Sequence, residues 1–182
     1  MEAHHLTQTH ASSTQAATWA IGLAVLVLTL GGCSPWATYP PVEHTQGLAR
    51  PVYEPIPTLM AKSITFAHDR YHAVDDIVIN LPEGVSAKTY DLVLRKIGRG
   101  RSMAETDAEA YTVREIRTRG QEAQVDLVCP RSDGLHELVT LYFKNNLMDG
   151  WRIESTRLWR IRVERPTANY PGVAVATEPT SS

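Results

Sequence analysis

From residue 76 onward the apolar positions recur with two different periods. Asp76 to Leu81 (DIVINL) predicts a first strand, closed by Leu81-Pro82-Glu83-Gly84. Ser86 is placed to cap a helix from Ala87 to about Ile97, in which Thr89, Val93 and Ile97 share a face with Tyr90 and Leu94 beside them. Gly98 and Gly100 stop that helix. The period then falls to two. Ala110–Thr118 is followed by Arg119-Gly120, and Ala123–Cys129 sets Ala123, Val125, Leu127 and Cys129 against Gln124 and Asp126. Pro130–Gly134 breaks the pattern. Leu135–Lys144 is apolar enough for both faces, Asn145–Gly150 turns again, and Trp151–Val163 forms a long last strand. The expectation is α+β: strand and helix, then an antiparallel four-strand meander, its curved sheet packing on one helix. Leu59–Asp75 fits either a helix or an edge strand.

This order of elements resembles the cystatin-like and nuclear-transport-factor-like group, where a curved sheet wraps one helix. Those folds serve many unrelated roles, so the resemblance is topological and transfers no site residues.

The N-terminal pattern is of another kind. Ala16–Leu30 (AATWAIGLAVLVLTL) runs fifteen residues without a formal charge. At ~1.5 Å per helical residue it falls short of a bilayer core of about 30 Å, and suits the apolar region of a signal peptide. It ends in Leu30-Gly31-Gly32-Cys33, which resembles the lipobox of bacterial prolipoproteins. The small residues there let the peptidase bind an extended backbone, and the cysteine thiol takes the diacylglycerol. The resemblance implies that residues 1–32 are a lipoprotein signal peptide and that Cys33 carries acyl chains anchoring the protein to a membrane. More than one chain makes such anchoring stable, at about 0.8 kcal/mol per buried CH₂. Met1–Gln15 departs from the family in offering Glu2 and three histidines where Lys or Arg is usual. In enteric lipoproteins an Asp after the cysteine marks retention in the inner membrane, so the resemblance implies that Ser34 favours the outer membrane over the inner.

Residues 33–57 hold Pro35, Pro40, Pro41, Pro51, Pro55 and Pro57, a composition that predicts an extended tether. Residues 166–182 lack periodicity and read as a disordered tail. A single α+β domain is therefore expected over 58–165.

Charge and cysteine content narrow the function classes. A formal net charge of −2 over 182 residues argues against a nucleic-acid partner. With Cys33 acylated, Cys129 is a lone thiol on an apolar strand face, expected in the core. There is no Gly-x-Ser-x-Gly elbow, Walker loop or Rossmann glycine signature, and no cofactor is expected.

Two clusters are candidates for chemistry. In the last strand Trp151, Ile153, Ser155, Arg157, Trp159, Ile161 and Val163 fall on one face by parity, with Arg157 its lone charge. An inward Arg157 needs a carboxylate such as Glu115, or an anion held between Trp151 and Trp159. A β-bulge near Ser155 turns Arg157 outward instead. The second cluster is His68, His72 and Asp75, which lie near one face if helical and form a weak metal-ligand set without the glutamate base of helical zinc hydrolases. The overall expectation is a lipid-anchored, non-catalytic bacterial envelope protein on the periplasmic side, binding or scaffolding another envelope protein. A small-ligand or anion-binding module around Arg157 is the alternative, and a metal enzyme using His68 and His72 is the third reading.

Overall fold

A computed structural model of the chain describes residues 34–43, 45–47, 50–71 and 74–171. Along them run β1 (Ala37–Tyr39), β2 (Gln46–Gly47), α1 (Ile56–Tyr71), β3 (Val78–Asn80), α2 (Ala87–Ile97) and β4 (Arg101–Ser102). The longer strands β5 (Tyr111–Arg119), β6 (Glu122–Pro130), β7 (His136–Asn146) and β8 (Gly150–Trp159) follow. The class is α+β, with two helices and a mixed, open, mostly antiparallel eight-stranded sheet among the described residues.

The main path of the sheet is β2-β1-β5-β6-β7-β8, so β8 is an edge strand. One side of β5 is shared. Its first residues, Tyr111 and Thr112, pair in parallel with β3, whereas Ile116–Thr118 pair antiparallel with β1. β4 extends the β3 side, and Gly100 makes that possible. A Cβ there would sit 2.4 Å from the Ile77 carbonyl oxygen, which accepts the Arg101 N–H at 3.0 Å.

Two helices, where one was expected, cover the inner face of the sheet. The ambiguous segment is α1, because Leu59, Met60, Ser63, Ile64, Ala67 and His68 fall on one buried stripe. Pro57 sits in its first turn, where a missing N–H costs nothing. Ser63 is tolerated in the core because its hydroxyl donates back to the Leu59 carbonyl at 2.8 Å. α2 adds Tyr90 and Val93, and ends at Gly98 in the left-handed conformation. Opposite them lie Ala123, Val125, Leu127 and Cys129 of β6 and Val139, Leu141 and Phe143 of β7. Each fully buried aliphatic side chain contributes about 1.5–3 kcal/mol.

The fold draws in chain on both sides of 58–165. The Pro-rich segment supplies β1, with Thr38 and Tyr39 buried, and Ile56 and Pro57 begin α1. At the other end Thr167–Tyr170 is latched to the body. The fully buried Asn80 donates from Nδ2 to the Thr167 carbonyl (2.7 Å), and its Oδ1 accepts the Asn169 N–H (2.9 Å). Asn169 in turn donates to the Leu81 carbonyl, and Tyr170 stands edge-on to Tyr90 with centroids 5.0 Å apart. Burying Asn80 demands such partners, which is why this segment departs from the expected tail.

Candidate functional site

β8 does not keep one face inward. Phe143 pairs with Ile153, but Tyr142 pairs with Ser155, so Glu154 is an extra residue in the edge strand. Before this bulge, Trp151 and Ile153 pack against the main core. After it, Arg157 lies opposite Thr140 and Trp159 opposite Leu138, on the outer face. Arg157 is exposed, and the two tryptophans proposed to flank it stand on opposite faces of the sheet.

The outer face carries a row that crosses four strands. Glu115, Asp126, Thr140 and Arg157 are successive cross-strand partners on β5, β6, β7 and β8. Arg117 donates from Nη2 to Asp126 Oδ2 at 2.5 Å, and its Nε lies 3.6 Å from Glu115 Oε1. Glu115 therefore faces Arg117 and not Arg157. The Thr140 hydroxyl donates to Asp126 Oδ1 (2.5 Å) and accepts the Trp159 indole N–H (2.9 Å). Arg157 ends the row with its guanidinium carbon 3.8 Å from the Trp159 ring centroid. That stacking contributes about 0.5–1 kcal/mol at an exposed site. Arg157 has no hydrogen bond or ion pair among the described residues, so its N–H edge is open to a carboxylate or phosphate.

Asp126 and Thr140 were the residues that sequence reasoning passed over. Their signal was present: Asp126 is a charge on the polar side of an alternating strand, and Thr140 interrupts an apolar run.

Two further cations extend the open edge. Arg160 and Arg162 line a groove of about 330 Å³ with Leu158, Ile161 and His136. His136 is buried, and its desolvation lowers the pKa, partly offset by Glu109 and a backbone hydrogen bond at Ala108. The ring is therefore neutral at pH 7, and the cationic character of the groove comes from the arginines.

Trp151 belongs to a different place. With Phe66 and Ile153 it lines a groove of about 650 Å³ between α1 and β8, rimmed by Lys62, Lys96 and Asp69. The Lys62 ammonium donates to the Trp151 carbonyl at 2.7 Å.

The proposed metal set does not assemble among the described residues. His68 is buried in α1 with its Nδ1 3.4 Å from the Tyr111 hydroxyl, and their rings meet edge-on. Asp75 is exposed and lines a separate groove with Asp76, Arg101 and Asp107. His72 and Cys33 lie outside the described residues. No three His, Cys, Asp or Glu side chains among the described residues converge on one point. In the Asp75 groove, Asp107 is a fixed part of the frame. Hydrogen bonds from Arg101 (2.5 and 2.7 Å), opposed by desolvation and helped by the Ala104 N–H, pull its pKa down to about 2. Burial pushes the Cys129 thiol up to about 12, so it is an inert core group.

Among the described residues no helix is long and apolar enough to cross a membrane. No protein-family model, curated protein or solved structure matches the chain.

Proposed function

We propose that this protein is a lipid-anchored, non-catalytic component of the bacterial cell envelope, held on the periplasmic side through Cys33 and binding an acidic partner protein at its β8 edge. The anchor rests on Leu30-Gly31-Gly32-Cys33 and the apolar run before it; Ser34 favours the outer membrane. The binding role rests on one observation. Arg157 lies over the Trp159 ring, free of any carboxylate among the described residues, beside the unpaired edge of a ten-residue strand. An open edge offers backbone N–H and C=O groups to an added strand, and pre-oriented guanidinium groups choose an acidic one.

Two measurements test this. Cells fed a fatty-acid analogue label the wild-type chain and leave Cys33→Ala unlabelled; equal labelling removes the anchor. A photoreactive amino acid in place of Leu158, which is 43% exposed, gives a discrete adduct in intact cells that Arg157→Ala weakens. An adduct indifferent to Arg157→Ala removes the outer row from the function.

A second reading, that of a small-ligand module, is favoured by the Trp151 groove. Its volume lies in the usual range for ligand sites, about 300–1,000 Å³, and its floor is apolar with a cationic rim. Native mass spectrometry of the full chain that shows a retained molecule, lost in Trp151→Ala, selects this reading over the first.

A further inference from the structure

One end of the sheet exposes what a soluble surface normally hides. At the β7–β8 turn Leu147 is 96% exposed and Met148 90% exposed. The tip is braced from behind: the Met148 N–H is accepted by Asn146 Oδ1 at 3.1 Å, Arg152 pairs with Asp149 at 2.9 Å, and the Asn145 N–H reaches the Gln121 carbonyl at 2.7 Å. That last bond ties the tip to the β5–β6 turn, so both turns lie at the same end of the sheet.

The chain enters the fold at this end too. Ala37, the first residue of β1, pairs with Thr118, and Trp36 lies under the Arg119 guanidinium, 4.6 Å from ring centroid to carbon. Cys33 is three residues upstream, no more than about 11 Å of chain. The β7–β8 tip is three strands away from β1, a span of ~15 Å at the usual strand spacing.

We infer that this end of the sheet docks on the lipid bilayer, with Leu147 and Met148 inserted at the headgroup boundary and Trp36 at the interface. The inference rests on the proposed anchoring at Cys33, which would hold the same end against the membrane. Tryptophan and exposed aliphatic groups are the side chains that settle at such a boundary. Charge plays little part. The basic groups here are already paired, Arg119 with Glu122, Lys144 with Glu154 and Arg152 with Asp149. Docking is therefore expected on uncharged phosphatidylcholine and to persist in high salt, unlike the binding of a polybasic patch. The arrangement points the Arg157 end of β8, with Arg160 and Arg162 just beyond it, away from the lipid, towards a periplasmic partner.

The test uses the full, unacylated chain carrying Leu147→Trp, coupled through Cys33 to a maleimide lipid in phosphatidylcholine vesicles. Cys129 does not compete, being buried with its thiol pushed up to about 12. The emission added by Leu147→Trp, taken as the difference from the unsubstituted chain, should be largely quenched by lipids brominated high on the acyl chain. Emission added by Asp133→Trp, in the turn at the opposite end, should be untouched. Adding Met148→Asp to Leu147→Trp should restore most of the emission without moving the melting temperature. A Leu147→Trp emission that bromolipid leaves intact overturns the docking end, and so does quenching that is equal at 147 and 133. Self-association at the tip, seen as concentration-dependent mass in place of quenching, overturns it in favour of a second copy. Chemical coupling makes these results independent of acylation in cells, which the mass of Cys33 isolated from membranes reports separately.

Discussion

The two halves of β8 share a backbone and little else. Gly150–Ile153 serves the core, where Trp151 and Ile153 are half-buried against the helices. Ser155–Trp159 serves the outer face, where Arg157 lies exposed over Trp159. A single extra residue, Glu154, separates them. Side chains alternate with a period of two, so one inserted residue inverts every position beyond it. An edge strand, bonded on one side only, accepts the insertion without disturbing a further neighbour. The lesson is that one strand supplies both a packing surface and a presented arginine because its register is broken once.

Deleting Glu154 alone would leave Ile153 opposite Phe143 and Ser155 opposite Tyr142; deleting Glu154 and Ser155 together attacks this difference directly. A continuous register then forces either Arg157 onto the inner face or Trp151 and Ile153 off the core. Either outcome should lower stability by about 2–3 kcal/mol in urea unfolding. An unchanged midpoint of the double deletion means that register is not what separates the halves.

The outer row is tested next. Asp126→Ala strips a common acceptor from Arg117 and Thr140, at an expected cost of about 2 kcal/mol. Combined with Thr140→Val it should show coupling, because the two residues share a bond; additive effects would dissolve the row into independent contacts.

The tryptophans sharpen the comparison further. Trp151→Ala should cost about 2 kcal/mol through lost apolar burial, whereas Trp159→Ala, losing one hydrogen bond and a stacked cation, should cost about 1 kcal/mol. Thermal unfolding of the pair checks the order, and a reversal places Trp159 in the more buried half.

The smallest effect is the most diagnostic. Arg157→Ala and Arg160→Ala should both stay within about 0.5 kcal/mol of wild type, as exposed substitutions do. A loss of about 3–5 kcal/mol at Arg157 alone is the signature of a broken buried pair and would return that side chain to the core.

Regular, local features were legible in the sequence. Ala87–Ile97 is a helix ended by Gly98, and Ala123, Val125, Leu127 and Cys129 do share the core face of β6. Ser86 begins the helix without capping a backbone N–H; its hydroxyl lies 3.2 Å from that of Thr89. What escaped depends on distant partners. β1 is three residues long beside a proline and is a strand only because Ile116–Thr118 offer it an edge. α1 carries β-branched residues and a proline in its first turn, so local preference could not separate helix from strand before the core stripe was known. Of the candidate site, the outward option for Arg157 was readable in Ser155, the small polar residue that interrupts the apolar series. Asp126 and Thr140 stood out as polar residues, but their pairing with each other did not, since cross-strand register is set by turns far along the chain.

The Asn80 latch governs timing as well as stability. Chains are made from the N-terminus, and every helix and strand among the described residues is complete by Trp159. Thr167 and Asn169, which satisfy the buried Asn80 amide, are made later. Until they arrive, closing the fold leaves that amide without its partners, a penalty of about 1–3 kcal/mol against the 5–15 kcal/mol typical of a whole domain. A nascent chain is therefore held back from its final stability until Asn169 has been made. For a protein that is to be threaded across a membrane before it folds, as proposed here, such lateness keeps the chain fit for transport.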